Sequence, residues 1–326
     1  MSRTRDFYKP DSACRKEFFE RLPVNTKSKK AYHGYGKHGT VFVHCHNHIV
    51  DSVAGEEFHD YPFDEEDKTV ITKLFKKILA KYKIEALSFC CMSNHYHSLL
   101  VADNQKYSPA KMAEVYNKFY AKQIRKKLSS PLNQSSPKCK RMAEHSNDIS
   151  AFLRDFQWAI TRYYNKKNNR KGTLWRSQFK SVLVERAQAL VNMISYIEMN
   201  PVRAGLVEDP ADYKHSFWGE WKRKGRHPFQ NSFTKHMREL LSEGGSQNLH
   251  NKDELQRAFE AKLHRQPKRK VLQTSLLNKD SHKTDDLAFG SQFFIERKVR
   301  ERKLYRSSHL SRTDHNLSNR SPDDHP

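Results

Sequence analysis

The pattern of apolar and polar residues divides the first two thirds of the chain into strands and helices. A strand is predicted over 40–50, where Val41-Phe42-Val43 leads into the alternating His44-Cys45-His46-Asn47-His48. A helix is predicted over 64–82, because Val70, Leu74, Ile78 and Tyr82 recur at near-helical spacing. Two further strands are predicted, one from Ile84 and one that carries His95 and His97 and continues through Leu99. Their very short connection predicts an antiparallel hairpin.

Downstream, the same pattern predicts two more helices, a strand and a final helix. The helix-compatible segments are 108–128 and 148–165. The break between them, 129–147, is rich in Ser, Pro, Lys and Asn and is predicted to be a surface loop. They are followed by a strand over 174–184 and by a helix over 187–200, which Pro201 stops. The order strand, helix, hairpin, helix, strand, helix predicts an α+β, ferredoxin-like (RRM-like) fold. Its antiparallel sheet is expected to carry helices on one face. This fold hosts many functions, so it does not decide the chemistry.

Charge points to the kind of partner. The chain has 326 residues, with 60 Lys and Arg against 37 Asp and Glu, a formal charge of +23 and an isoelectric point near 9.7. Such an excess indicates a polyanionic partner, most commonly nucleic acid, although a merely basic soluble protein is the alternative. Residues 1–35 are interpreted as a basic leader arm. The hydrophobic content of 36% is low, and apolar density falls beyond Trp221. Residues 221–326 are therefore predicted to be a basic, partly disordered region that contains the clusters 268–270 and 297–303.

Cysteine usage and hydropathy indicate the compartment. The five cysteines form no C-x-x-C pair, which is typical of reduced thiols in a cytosolic protein. No signal peptide is visible and no apolar run approaches membrane-spanning length. We expect a soluble, cytoplasmic protein with no membrane partner. Its charge further suggests association with the nucleoid.

Two residue pairs outline a chemical site. His95 and His97 flank Tyr96 on a strand, so both project from one face, about 6–7 Å apart, and can share a divalent cation. Alone this pair is weak, because His-x-His also arises by chance. Tyr196 and Asn200 fall on one helical stripe opposite Leu190, Ile194 and Ile197. Tyr196 can equally be a packing tyrosine and Asn200 a residue that ends the helix before proline.

Together these segments resemble the single-tyrosine HUH transposases. His95-Tyr96-His97 matches the family's His-hydrophobic-His motif, with Met92-Ser93-Asn94 as the strand entry. Three more segments fit in order and are similar to the REP-associated tyrosine transposase branch: Arg162-Tyr163-Tyr164-Asn165, Gly172 to Ser181, and Tyr196-Ile197-Glu198-Met199-Asn200-Pro201-Val202-Arg203-Ala204-Gly205. The resemblance covers about 40–218. It places a transposase domain over 36–220, with most of 108–147 as an insertion.

The resemblance implies a role for each matched residue. His95, His97 and Asn200 would hold Mg²⁺ or Mn²⁺, and Tyr196 would be the nucleophile that forms a 5′-phosphotyrosine link in single-stranded, hairpin-containing DNA. Arg176, Lys180 and Arg203 lie in the motifs near this site and would contact DNA, unless they are only solvated surface charges. The resemblance leaves the target sequence open, and it leaves open whether the protein is a monomer or a homodimer.

Other readings of single residues stay open. Trp175 and Phe179 can stack on bases, but core packing is the stronger interpretation. The alternating His44, His46 and His48 suit zinc, a helper role in DNA binding, or plain strand positions, and plain strand positions are preferred. Two further functions therefore compete with the transposase: a domesticated nucleic-acid-binding protein that lacks catalysis, and a metal-dependent hydrolase that uses these three histidines.

Overall fold

The computed structural model describes residues 40–50, 52–53, 56–57, 63–103, 105–186, 188–241, 251–264 and 288–289. The predicted leader arm and the basic clusters at 268–270 and 297–303 lie outside these residues. No helix in the described part of the chain is long and apolar enough to cross a membrane.

The strands form one main sheet and a small ribbon. They are β1 Val41–His48, β2 Ser52–Val53, β3 Glu56–Glu57, β4 Glu85–Cys91, β5 His95–Ala102, β6 Lys180–Val184 and β7 Ala288–Phe289. The main sheet has the order β4-β5-β1-β6-β7, while β2 pairs only with β3. Neighbouring strands among β4, β5, β1 and β6 pair antiparallel, and β7 runs parallel to β6. The predicted α+β, ferredoxin-like sheet is confirmed, with β1 inserted between the hairpin and the last strand of the motif.

Helices surround this sheet. They are α1 Glu65–Leu79, α2 Pro109–Phe119, α3 Ala121–Arg125, α4 Pro137–Glu144, α5 Ile149–Lys167, α6 Gln188–Glu198, α7 Asn200–Arg203, α8 Phe217–Lys224, α9 Gln230–Leu241 and α10 Lys252–His264. A capping box between Asp64 and Asp67 begins α1, and the Asp148 side chain caps the start of α5. α1 and α5 are the two crossover helices of the motif.

The two faces of the sheet are covered by different helices. On one face, Phe75 of α1 stacks on Phe89 at 4.0 Å between ring centroids, and Phe156 of α5 packs on Tyr96 at 5.2 Å. The crossover helices α1 and α5 therefore share one face of the sheet, as predicted for the helices of this fold. The opposite face carries α6, whose Leu190, Ile194 and Ile197 are fully buried. Successive strand residues point to opposite faces, so His97, the neighbour of Tyr96, faces α6.

The hydrophobic core continues beyond the point where sequence patterning placed its end. Trp218 and Trp221 of α8 pack against Phe233 of α9 and Phe259 of α10, and all four are buried. α9 and α10 thus add packed structure within the region 221–326, where the apolar density of the sequence falls. The few apolar residues of these helices are large and lie on one side, so a low average hydrophobicity still closes a core.

The segment 108–147 has more structure than predicted. The expected helix over 108–128 is confirmed as α2 and α3, whereas the expected loop over 129–147 contains α4. Cys139 and Ala143 of α4 pack with Met112 and Tyr116 of α2 in a small separate core. The predicted strand over 174–184 is shorter, because only Lys180–Val184 pairs continuously with β1.

The two ends of this segment are joined by hydrogen bonds. The Asn147 amide N–H donates to the Tyr82 carbonyl at 2.5 Å, and its side chain donates to the Gln105 carbonyl at 2.9 Å. The Ser146 hydroxyl accepts from the Tyr107 N–H at 2.7 Å. Asn147 adopts a left-handed φ of 73°, which asparagine tolerates better than most residues. The chain thus leaves and re-enters the main fold at one place.

Candidate active site

Five histidines lie together on the sheet face that carries α6. The register pairs His46 with His97 and His48 with His95 across β1 and β5, and directly paired residues share a face. Ring centroids are 5.3 Å apart for His46 and His97, 4.4 Å for His48 and His95, and 5.1 Å for His95 and His97. His44 completes the group, with its ring centroid 5.2 Å from that of His97.

Burial keeps the inner histidines neutral. It lowers the pKa of His44 to about 3, with a further contribution from His46, and it lowers the pKa of His95 to about 3 as well. Burial also takes the pKa of His97 well below its usual value. A neutral imidazole has one lone pair to offer, and this is the form that binds metal ions.

Hydrogen bonds fix which ring nitrogen carries that lone pair. His95 Nδ1 lies 2.6 Å from Asn94 Oδ1, an oxygen that only accepts, so Nδ1 holds the proton and Nε2 the lone pair. His97 Nδ1 lies 3.0 Å from His44 Nε2. If His97 is to present Nε2 to a metal, its Nδ1–H must donate to His44, which then acts as the acceptor that orients the ring. The sequence favours a plain strand position for His44, whereas this contact makes it a candidate positioning residue.

Tyr196 reaches this cluster from α6. Its ring centroid is 5.7 Å from that of His97 and 6.2 Å from that of His44. Burial raises the pKa of the Tyr196 hydroxyl, while the charge of Arg203 and the Asn200 side chain oppose that rise. The tyrosine predicted from its helical stripe and the histidines predicted from strand alternation thus share one site.

Arg203 and Asn200 hold the end of the Tyr196 helix. The Arg203 guanidinium lies 4.6 Å above the Tyr196 ring and donates to the Tyr196 carbonyl. Asn200 Nδ2 donates to the same carbonyl at 3.0 Å, and its Oδ1 is the acceptor atom of that amide. Arg203, predicted to contact DNA, is thus engaged with the tyrosine itself.

The other predicted DNA contacts lie at the edge of this face. Lys180 is exposed and stands directly opposite His46 in the pairing of β1 with β6, so its side chain shares the histidine face. The exposed Arg176 is anchored through its backbone N–H, which donates to the His48 carbonyl at 3.0 Å. Trp175 packs on Tyr96 at 5.6 Å and donates to Thr161, in line with the preferred interpretation of core packing.

Glu198 is a residue that sequence reasoning missed. It is fully buried on α6, where Oε1 accepts from the Ser88 hydroxyl at 2.7 Å and Oε2 from the Trp218 N–H at 3.0 Å. These bonds tie the tyrosine helix to β4 and to the start of α8, and burial raises the Glu198 pKa to about 7. The sequence does contain a signal for Glu198, because it lies on the apolar stripe of the helix beside Ile197. A carboxylate at such a buried position requires hydrogen-bonding partners.

The donors present suit a divalent cation that is completed by other ligands. Among the described residues, no group of three or more His, Cys, Asp or Glu side chains is arranged around one metal position. His95 and His97 offer two neutral imidazoles and Asn200 an amide oxygen, a mixed set that Mn²⁺ accepts and that Mg²⁺ accepts with added oxygen ligands. This set fits a cation shared with a phosphate and does not fit a closed structural zinc site.

Comparison with known proteins gives a family match and a structural likeness. Residues 42–137 match the model of the family described as "Transposase IS200 like". This region includes β1, the hairpin with His95 and His97, and α2, and it stops before Tyr196. A solved structure of a REP-associated tyrosine transposase bound to a REP hairpin covers 60% of this chain and 87% of its own, at 12% identity and a TM-score of 0.37. The comparison with curated proteins gives no match.

Proposed function

We propose that this chain, which is an IS200-like transposase, cleaves and rejoins single-stranded DNA through a covalent link to Tyr196. The observation that carries the proposal is the meeting of Tyr196 with His97, whose ring centroids lie 5.7 Å apart although about one hundred residues separate them in sequence. A packing tyrosine does not need neutral, oriented imidazoles beside its ring.

Tyr196 supplies the nucleophile. Its hydroxyl oxygen attacks the phosphorus, and the bond from phosphorus to the 3′ oxygen breaks. The 5′ phosphate remains on the tyrosine, and the departing oxygen takes a proton to become a free 3′-hydroxyl. Attack of a new 3′-hydroxyl on the phosphotyrosine reverses these steps and joins the strands. The energy of the bond is conserved, so no ATP is needed.

The surroundings of Tyr196 prepare the hydroxyl for attack. Burial raises its pKa, so the phenol needs a cationic environment in order to lose its proton. Arg203 contributes part of this, because its guanidinium over the ring favours the phenolate. Arg203 and Asn200 together fix the Tyr196 carbonyl and thereby hold the last turn of α6.

His95, His97 and Asn200 would hold Mg²⁺ or Mn²⁺. When bound, the cation polarises a phosphate oxygen and neutralises the charge that develops during attack. His44 acts behind these ligands by accepting from His97 Nδ1–H, which turns the His97 lone pair at Nε2 toward the site.

DNA enters on the histidine face. Lys180 lies on this face beside His46, and the exposed Arg176 lies at its edge, so both meet phosphates of a strand that approaches Tyr196. The formal charge of +23 supports electrostatic binding along a longer stretch of DNA. A hairpin-forming single strand is the substrate that the motif resemblance implies. A DNA substrate in turn supports association of the protein with the nucleoid.

The test is a search for a covalent adduct. Full-length protein is incubated with labelled single-stranded hairpin DNA from repeats that flank its gene, in Mg²⁺ and in Mn²⁺, and is resolved on a denaturing gel. Tyr196→Phe is compared with wild type. Tyr107→Phe, which alters a half-buried tyrosine just before the insertion, is the matched control.

An adduct in wild type and in Tyr107→Phe, but absent from Tyr196→Phe, supports the proposal. DNA that is retarded on a native gel without any adduct, across these substrates and both metals, refutes the chemistry. That result would favour the second candidate, a domesticated protein that binds nucleic acid without cleaving it.

A further inference from the structure

A cavity of about 280 Å³ lies on the α1 and α5 side of the sheet, away from Tyr196. Its walls come from α2 and α4 of the insertion, from the end of α1 and from α5. Four of its lining residues are the cations Lys81, Lys138, Arg141 and Arg154, and its rings include Tyr116 and Tyr120. None of these residues takes part in the proposed cleavage.

The charge of this cavity suits an anion. Asp155 is the one carboxylate among the described lining residues, and it is engaged within the wall. It accepts from Lys81 Nζ at 2.8 Å and from the Tyr82 hydroxyl at 2.5 Å. The remaining cations therefore outweigh it. Lys138 and Arg141 are exposed and stand three residues apart on α4, so they line the same edge of the opening.

A flat aromatic surface lies beside these cations. Tyr120 is half-buried, and its ring is held by Tyr116 at 4.5 Å and by Phe119 at 4.7 Å between centroids. Lys138 Nζ lies 5.0 Å from the Tyr116 ring, so cation and aromatic groups are within the span of one small ligand. A fixed ring next to basic side chains is the arrangement that binds a base by stacking and its phosphate by charge.

We infer that this cavity binds one nucleotide of the single-stranded DNA, with the base on Tyr120 and the phosphate on Lys138 and Arg141. The inference rests on the proposed function, because it assigns a second contact to the same DNA. A volume of about 280 Å³ is near the lower end of the roughly 300–1,000 Å³ of ligand pockets, which suits a single nucleotide. The exposed position of Lys138 and Arg141 leaves room for a continuing strand.

The test measures affinity separately from chemistry. Binding of the full-length protein to a fluorescent hairpin with single-stranded flanks is followed by anisotropy in EDTA, so that no cleavage occurs. Arg141→Glu and Tyr120→Ala are compared with Lys122→Glu, the matched control for charge. Lys122 is exposed on α3 and does not line the cavity. Tyr120→Phe keeps the ring, and thermal melting checks that each variant is folded.

We expect Arg141→Glu and Tyr120→Ala to raise the Kd about ten-fold. Tyr120→Phe should stay near wild type, and Lys122→Glu should change the Kd by no more than about three-fold. An equal loss in Lys122→Glu would show a general field of charge and overturn the site. So would unchanged binding in Arg141→Glu, which alters an exposed residue and leaves the small core intact.

Two further arms separate this inference from its alternatives. Direct binding of a free deoxynucleoside monophosphate or of inorganic phosphate that Arg141→Glu abolishes, without any effect of the variants on the hairpin, would assign the cavity to a small anion and overturn binding of the strand. Adduct formation is measured in parallel at saturating DNA. No adduct in wild type, together with binding that depends on Arg141 and Tyr120, would refute the cleavage and leave the cavity assignment standing.

Discussion

Replacing His227 by phenylalanine should destabilise the fold by an amount that shrinks as the pH falls. His227 is buried between α8 and α9, and both of its ring nitrogens are hydrogen-bonded. Nδ1 accepts from the Phe229 N–H at 3.0 Å, and Nε2–H donates to the Leu87 carbonyl at 3.2 Å. This pairing requires the neutral ring, and burial lowers the His227 pKa to about 3.

The size of the effect follows from these bonds. Phenylalanine leaves two buried backbone groups unpaired, at about 1–3 kcal/mol each, so a loss of about 2–6 kcal/mol is expected near neutral pH. The folded pKa lies below the unfolded value of about 6.5, so the wild-type contribution is complete above that value and is lost as the pH falls toward the folded pKa. At about pH 4.5 the wild type has lost about 3 kcal/mol that the variant cannot lose, which leaves a difference of at most about 3 kcal/mol.

The assay is urea unfolding of both proteins at about pH 7.5 and about pH 4.5. The other histidines are common to both proteins, so the change in their difference isolates His227. His145→Phe removes an exposed imidazole and gives the baseline for the surface. A difference between wild type and His227→Phe that is the same at both pH values, within about 0.5 kcal/mol, would refute the linkage.

The site and its supports yield further expectations. His44→Phe should raise the Mn²⁺ concentration needed for half-maximal adduct formation about 10–100-fold, without changing hairpin affinity in EDTA. An unchanged Mn²⁺ titration would exclude the positioning role of His44. Removal of divalent metal with EDTA should abolish the adduct and preserve binding, and an adduct formed in EDTA would contradict the metal site. Glu198→Leu leaves the Ser88 hydroxyl and the Trp218 N–H unpaired and should cost about 2–6 kcal/mol in urea unfolding, whereas Glu198→Gln should cost less; equal losses would argue against these bonds. Gly219→Ala would place a Cβ 2.0 Å from the Tyr213 carbonyl oxygen, so we expect a loss of about 3 kcal/mol and a clearly lower Tm, and a wild-type melting curve would refute that packing.

Strand alternation and helical spacing predicted the sheet and the helices that bound it. The alternation around His95 and His97 placed both side chains on one face because successive residues of any strand point to opposite faces. The helices after Trp221 were missed because Phe233, Met237 and Phe259 are few and widely spaced among charged residues. Hydrophobicity averaged over a sequence window is therefore low here. A core still forms, because these few large side chains lie on one side of their helices.

Side-chain partners were the part that the sequence could not supply. Alternation placed His44 on the same face as His97, but only the pairing of β1 with β5 brings the two rings into contact. Arg203 is predicted from its place in the motif to contact DNA, and that contact stays a prediction. The structure adds a partner that the sequence did not show, the Tyr196 carbonyl seven residues earlier in the chain. Contacts of this kind depend on tertiary geometry and leave no periodic signal.

The joined ends of the 108–147 segment have a consequence for how this protein can vary. Because the bonds of Ser146 and Asn147 close the segment at its base, its interior can lengthen, shorten or change sequence without altering the spacing between β5 and α5. The tyrosine and histidine site on the opposite face would stay in register through such changes. The segment can therefore behave as an exchangeable unit, whose sequence can vary independently of the face that carries Tyr196 and the five histidines.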